Sequence, residues 1–523
     1  MTLLNGKKKM IGTMPAARSA RRPHLSWLPF ALLAILLAVQ AALSLRLIGS
    51  NTAFDDEALY LWSGHMEIAS SPAAISFPGY FSGAPVIYPP LGAAADAIGG
   101  LTGARLLSLA FMLGTTVLLY VSALRLFRSH AAALGAAAVF VLLAPVQFLS
   151  AFATYDAMAL FLLAASACLV IVASSFDGAD LILIVAGLVL ALADATKYAT
   201  ALWDPVIIAL VIILAAEDGW LHAVLRGART AAYVAVPLVI AVLIGGHPYV
   251  TGIRYSTLDR QPGIYAPSLI LHDSLAWLWP VLILALAAMA VSFTDTLRSR
   301  LLCCLLALAL LLAPLHQAQI HTLTSLDKHT AFGAWFGAIA AGYLIARLTR
   351  YLQDHHWYAG WRLRLVCTAT AAAVLAVSLA GILQAGTLYQ GGWPNSAKAV
   401  AATRSQLHVS KCPCLMMSNT VMSYYLLGTI PLAAESSSLT GPYYFQYHGE
   451  SGTPAYVQAI RNHYFQVAEI DIDADPVLAA AVQAALASTQ GYHLEDTAPW
   501  SSTTYKGTAK IWRYVPPGKK AGQ

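Results

Sequence analysis

Long apolar runs recur through most of this chain, and they restrict the folds open to it. Eleven of them lie near residues 27–48, 104–124, 131–149, 157–174, 180–195, 203–216, 230–246, 274–292, 299–316, 331–347 and 364–385. One helix needs roughly 17–25 apolar residues to cross hydrocarbon, and a helix satisfies its own backbone groups there. The fifth and sixth runs are short, and polar residues separate them. Charged residues make up 11% of the chain, against about a quarter in a soluble domain. The expectation is a mainly α, polytopic bundle of about eleven transmembrane helices in the cell membrane. The first run exceeds the roughly 7–15 residues of a cleaved signal's apolar region, so it reads as an anchor.

The loops give the orientation. Lys7, Lys8, Lys9, Arg18, Arg21 and Arg22 precede the first run. Arg125 and Arg128, Arg226 and Arg229, Arg298 and Arg300, and then Arg347, Arg350, Arg362 and Arg364 fall on the same side if the spans alternate. The first outer loop, 49–103, has no Lys or Arg. Short basic loops stay cytoplasmic. The basic N-terminal segment 1–26 is therefore cytoplasmic, 27–385 forms the transmembrane domain, and 386–523 lies outside.

That last region is less apolar and richer in Gly, Pro, Ser and Tyr. Runs at 413–417 and 465–470 read as strands, 476–488 as an amphipathic helix and 509–515 as a last strand. A small extracytoplasmic α/β domain is expected. The net charge of +6 is spread through short loops, without a nucleic-acid-like patch. Cys412 and Cys414 flank Pro413 too closely for a relaxed disulfide. The other four cysteines lie in apolar segments.

Ionisable residues at membrane depth mark functional sites by default, and here they gather on the outer side. Asp55, Asp56 and Glu57 follow the first span in FDDEALYLW. Asp156 opens the fourth span. Asp194 and Lys197 lie between the fifth and sixth. Arg254, Asp259 and Arg260 follow the seventh, and His316, His321, Asp327, Lys328 and His329 fill the loop between the ninth and tenth. Cations suit a phosphate, and a carboxylate suits the activation of a hydroxyl. A sugar on a lipid phosphate calls for both. Its leaving group is a stable anion, so a single catalytic carboxylate suffices. Plainer readings exist as well: a solvated cap for the acidic run, a snorkelling helix-end residue for Lys197, and a helix cap for Asp156 with Thr154.

The long first outer loop opening on Asp56, Glu57, Ala58 and Tyr60 resembles the GT-C superfamily of polyprenyl-phosphate-sugar glycosyltransferases, of the family 39 protein mannosyltransferase and aminoarabinose transferase types. The resemblance runs more loosely over 27–385 and takes in Thr196-Lys197 and Lys328-His329. Where relatives carry Arg-Tyr followed by Pro, this chain has KHTAFGAWFGA. The resemblance implies a transferase that moves a sugar from a polyprenyl-phosphate donor to a glycan, lipid or protein acceptor on the outer face. Asp56 would be the base, with Asp55 an extra acid and Glu57 orienting the acceptor. Tyr60, Asp156, Lys197, Tyr198, Arg254, Lys328 and His329 would bind substrate. The resemblance fixes no cofactor and leaves open a divalent cation supported by Glu57. Membrane lipids are partners, and no nucleic acid is. The rival class is a secondary transporter or flippase, for which the two short spans offer a hint; a third is an outer-surface sensor or assembly protein.

The charge bias makes a testable statement about topology. Cysteines introduced at 5–9 and at 440–450 should be labelled from opposite sides of the membrane. Labelling of both from one side would overturn the orientation.

Overall fold

A computed structural model of the chain describes residues 27–69, 87–176, 180–355, 360–407, 415–418, 420–429, 436–438, 445–471, 476–516 and 518. The basic segment 1–26, part of the first outer loop and the Cys412-Pro413-Cys414 run lie outside the described residues. Among the described residues, nine helices are long and apolar enough to cross a membrane. The chain is a multi-pass membrane protein.

Helix α1 (Leu28–Ile48) leads to the first-loop helix α2 (Asp55–Ile68). Helix α3 (Tyr88–Phe127) bends where Gly99 and Gly100 leave the helical conformation, Gly100 at φ 61°. The segment before the bend packs on α2. A Cβ on Gly64 would fall 2.0 Å from the Pro89 carbonyl oxygen, so only glycine allows that approach.

The remaining two expected spans are helical but fall short of a straight crossing. The run at 131–149 divides into α4 (His130–Leu142) and α5 (Ala144–Leu149). Leu143 is extended, and a proline sits in the first turn of α5. Helix α6 is Tyr155–Ala173. The run at 180–195 is α7 (Asp180–Thr196), only 17 residues long. A 3-10 turn, Tyr198–Trp203, joins it to α8 (Asp204–Ala215). Then follow α9 (Trp220–Ser256), bent at Gly246, α10 (Pro267–Ser292), α11 (Leu297–Gln319), α12 (Leu326–Asp354) and α13 (Gly360–Gly391).

Helix α12 is central because its Ala and Gly residues let neighbours come close. Gly333 abuts the Leu310 backbone, and Gly342 abuts Ala132. Beside it Trp203 stacks on Phe332 with centroids 5.3 Å apart and donates its indole N–H to the Ala309 carbonyl at 3.1 Å. Helices α1, α9 and α13 are the least covered by protein among the candidate spans, which leaves their apolar flanks to lipid. At one end of the bundle the basic loops pair with acids. Arg298 meets Glu217 at 2.7 Å and Arg347 meets Asp295 at 3.7 Å.

At the opposite end the chain continues through α14 (Ala397–Gln406) into a small sheet region. Its strands are β1 (Leu415–Met417), β2 (Ser436–Ser438), β5 (Val467–Ile470), β6 (Tyr492–Ser501) and β7 (Lys506–Tyr514), in the order β2-β1-β5-β7-β6. β1 runs parallel to β2 and β5, whereas β7 is antiparallel to β5 and β6. β3 (Gln446–Tyr447) and β4 (Glu450–Ser451) make a separate hairpin. Helices α15 (Thr420–Tyr425), α16 (Gly452–Arg461) and α17 (Pro476–Ser488) accompany the strands. The strands expected at 465–470 and 509–515 and the helix at 476–488 are present. β6 was not foreseen, because its middle residues are exposed and polar and carry no apolar alternation.

Candidate active site

The first turn of α2 holds three acids, where the helix dipole favours negative charge. Their side chains go three different ways. Glu57 is fully buried. Its carboxylate takes a two-pronged contact from Arg105 of α3, Nε to Oε1 at 2.9 Å and Nη2 to Oε2 at 2.7 Å. The Phe54 and Ala153 N–H groups donate to it as well, at 3.0 and 2.8 Å. Arg105 uses its remaining donors on the carbonyls of Ile48, Asn51 and Thr52. Both Glu57 oxygens are thus taken, which corrects the expectation that Glu57 orients the acceptor or supports a cation.

Asp55 turns toward the sheet region. It accepts from the Thr420 hydroxyl and from the Thr420 N–H, the latter at 3.3 Å. Burial raises its pKa, Thr420's hydrogen bonds act against that, and Asp56 adds to it. Asp55 therefore joins α2 to α15. Nearby, Tyr425 Oη accepts from the Ala53 N–H at 2.8 Å, and Tyr424 donates to Asp96 at 2.5 Å.

Asp56 is the acid that faces open space. Its Oδ2 lies 2.6 Å from Lys328 Nζ at the start of α12. Lys328 Nζ lies 3.9 Å from Asp156 Oδ2, and Asp156 Oδ1 lies 2.5 Å from Lys197 Nζ. The four charges alternate in sign along one line. Thr154 donates to Asp156 at 2.9 Å. Lys197 stands over the Tyr155 ring at 4.7 Å, and Lys328 over Phe152 at 5.6 Å. Lys197 reaches this point because α7 stops at Thr196, and the 3-10 turn carries the chain back along the site.

A cavity of about 600 Å3 opens beside this line. Asp56, Tyr60, Lys197, Tyr198 and His329 line it, as do Arg260, His316 and Gln317. Tyr60 packs against Tyr155 with ring centroids 4.5 Å apart. Three buried polar atoms of lining residues, Tyr198 Oη, His329 Nε2 and Gln317 Oε1, have no hydrogen-bond partner among the described residues. Gln317 Nε2 is engaged by the Thr324 carbonyl at 2.6 Å.

The expected residues therefore separate. Asp56, Tyr60, Lys197, Tyr198 and His329 share the cavity, and Asp156 and Lys328 form the charged line behind it. Asp55 and Glu57 are engaged elsewhere. Arg254 is exposed, pairs with Asp259 at 3.3 Å and does not line the cavity, whereas Arg260 does. Loop sequence alone cannot say which of two nearby arginines borders the cavity. Arg105 was overlooked, yet a signal existed: a lone arginine in the first turn of an apolar run, next to a cation-free acidic loop. Among the described residues no group of three or more His, Cys, Asp or Glu is arranged to hold a metal ion.

The fold has solved counterparts. ArnT from Cupriavidus metallidurans in the apo state aligns with a TM-score of 0.58 and 14% identity, over 93% of this chain and 97% of that one. This chain therefore shares the fold of that protein. The same protein bound to undecaprenyl phosphate gives 0.52 and 14%, over 93% and 98%. The archaeal oligosaccharyltransferase AglB from Archaeoglobus fulgidus, in complex with an inhibitory peptide and a dolichol-phosphate, gives 0.56 and 12%, over 92% and 74%. The profile of the dolichyl-phosphate-mannose-protein mannosyltransferase family matches residues 75–248. No curated protein sequence matches the chain.

The Glu57–Arg105 pair should be structural. Removing one partner of a buried ion pair costs about 3–5 kcal/mol. Glu57→Gln and Arg105→Gln should each lower the thermal unfolding midpoint in detergent, and the double variant should recover part of the loss. A Glu57→Gln protein that is inactive but fully stable would give Glu57 a chemical role instead.

Proposed function

We propose that this chain is a membrane glycosyltransferase that moves a sugar from a polyprenyl-phosphate donor to a hydroxyl acceptor on the outer face. One observation carries the reading: a carboxylate, Asp56, and two cations, Lys197 and Arg260, border the same cavity at one end of a GT-C bundle. The lipid-phosphate ligands of the ArnT and AglB structures support it. The N-terminus is cytoplasmic, and the sheet region lies on the outer side with the cavity.

The residues divide the work. The donor is an anion, and the line of Asp56, Lys328, Asp156 and Lys197 is already balanced. Arg260 has no acidic partner among the described residues and supplies the positive charge that the donor needs. Lys197 reaches the same volume and adds a charge-assisted bond. Asp56 accepts the proton of the acceptor hydroxyl as that oxygen attacks the anomeric carbon. The bond from that carbon to the phosphate oxygen breaks, and its electron pair stays on the phosphate. His329 Nε2 and Gln317 Oε1 offer unsatisfied polar atoms to sugar hydroxyls, which would relieve the penalty of leaving them unpaired. The short spans that hinted at a transporter have a simpler use here, since their break delivers Lys197 to the cavity.

Two experiments test this. In the first, undecaprenyl phosphate binding is measured to purified protein in nanodiscs. Loss of one donor to a charged group costs about 1.5–3 kcal/mol, and about 1.4 kcal/mol is tenfold. Arg260→Ala and Lys197→Ala should each weaken binding by one to two orders of magnitude, and Arg254→Ala should leave it unchanged. Lys197→Ala also strands Asp156, so its melting temperature must be followed alongside. Equal binding by Arg260→Ala and wild type would remove Arg260 from the site. In the second, transfer from polyprenyl-phosphate sugars is compared in matched membranes. Asp56→Asn should lose at least ~100-fold in rate, and Asp55→Asn should lose less. An active Asp56→Asn would displace Asp56 as the base.

A further inference from the structure

Lys328 is a charge at the site that the transfer step does not use. Lys328 is buried and bonded to Asp56 at 2.6 Å, its side chain 5% exposed while that of Asp56 is 31% exposed. An ammonium so placed balances the charge of the carboxylate, and it also occupies the group that must receive a proton. It sits behind Asp56, with Asp156 at 3.9 Å as its only other acid within 4 Å among the described residues. Asp156 is itself ion-paired with Lys197 and accepts a hydrogen bond from Thr154.

Resting on the glycosyltransferase reading, we propose that Lys328 is a transferable counter-ion, which leaves Asp56 when the proton arrives there and passes to the departing lipid phosphate. The charges require such a partner. The donor is a phosphodiester with one negative charge. Transfer breaks the acceptor O–H bond and the bond between the anomeric carbon and the phosphate oxygen, and it forms the new glycosidic bond. The proton goes to Asp56, and the electron pair of the broken carbon–oxygen bond goes to the phosphate. Asp56 becomes neutral at the moment the phosphate gains a second charge. Arg260 and Lys197 are already engaged with the first charge. Lys328 then has lost its partner, and a dianion stands on the far side of the same carboxyl group. Lysine suits the move, being a compact charge on a flexible four-carbon stem. In the resting protein its bond to Asp56 withholds it, so the product lipid is bound more weakly than the site allows and is released once Asp56 loses its proton.

Undecaprenyl phosphate is the probe, and its affinity in nanodiscs at one pH is the readout, with undecaprenol as the uncharged control. Asp56→Asn mimics the protonated base and frees Lys328. It should bind undecaprenyl phosphate about tenfold tighter than wild type, because the competent state no longer has to be populated at the expense of an ion pair. Asp56→Ser should do the same and guards against misfolding of the first variant, with melting temperatures recorded for both. Lys328→Met should bind more weakly than wild type. In the Lys328→Met background Asp56→Asn should give no further tightening, which separates transfer of the counter-ion from mere removal of a repelling carboxylate. Undecaprenol should bind all variants alike. An unchanged or weakened affinity in the Asp56 variants, or the same gain with Lys328 absent, would overturn the proposal while leaving the lipid-phosphate site intact. Failure of the wild-type protein to bind undecaprenyl phosphate would instead overturn the functional reading, and the proposal with it.

Discussion

The buried pair between Glu57 and Arg105 is the contact on which the active end of the molecule depends. A charge taken out of water must be matched closely, and here the match is complete. Arg105 spends its donors on Glu57 and on three carbonyls of the α1–α2 connection, and Glu57 spends its oxygens on Arg105 and two N–H groups. This fixes the end of α1, the start of α2, the span of α3 and the chain ahead of α6 in one arrangement. Asp55 and Asp56 precede Glu57 on the same turn, so they are aimed by a bond that neither of them makes.

From that anchored turn two neighbouring acids serve different ends. Asp56 meets Lys328 and faces the cavity, whereas Asp55 meets Thr420 and holds the sheet region. Tyr424 extends the same junction to Asp96, which also pairs with His65 at 2.7 Å. The sheet region thus sits against the helix that carries Asp56. The line of Asp56, Lys328, Asp156 and Lys197 holds four charges together without net charge, and Arg260 adds a positive charge at the cavity.

Much of this was legible beforehand. The apolar runs are all helical, because a span in lipid has no other way to satisfy its backbone. Asp56, Asp156, Lys197 and Lys328 stood out as costly charges at span ends, and they do come together. Glu57 was misread because an acid in a motif looks the same whether it faces a substrate or an arginine. Arg254 was preferred to Arg260 for want of any signal in the loop. The division of 131–149 at Leu143 could have been read from Pro145.

The sequence by itself determined the membrane class, the helices, the gathering of ionisable residues at one end of the spans and the resemblance to lipid-phosphate-dependent transferases. These follow from local quantities, namely the length of an apolar run, the count of basic residues in a loop and the spacing within a short motif. Tertiary structure alone decided which acid faces the cavity, which arginine borders it and which lysine pairs with which aspartate. Asp56 and Lys328 are 272 positions apart, and Glu57 and Arg105 are 48 apart. Pairings at such separations are set by helix packing, where Gly333, Gly342 and Gly64 bring backbones close enough for one partner to be reached and another left out.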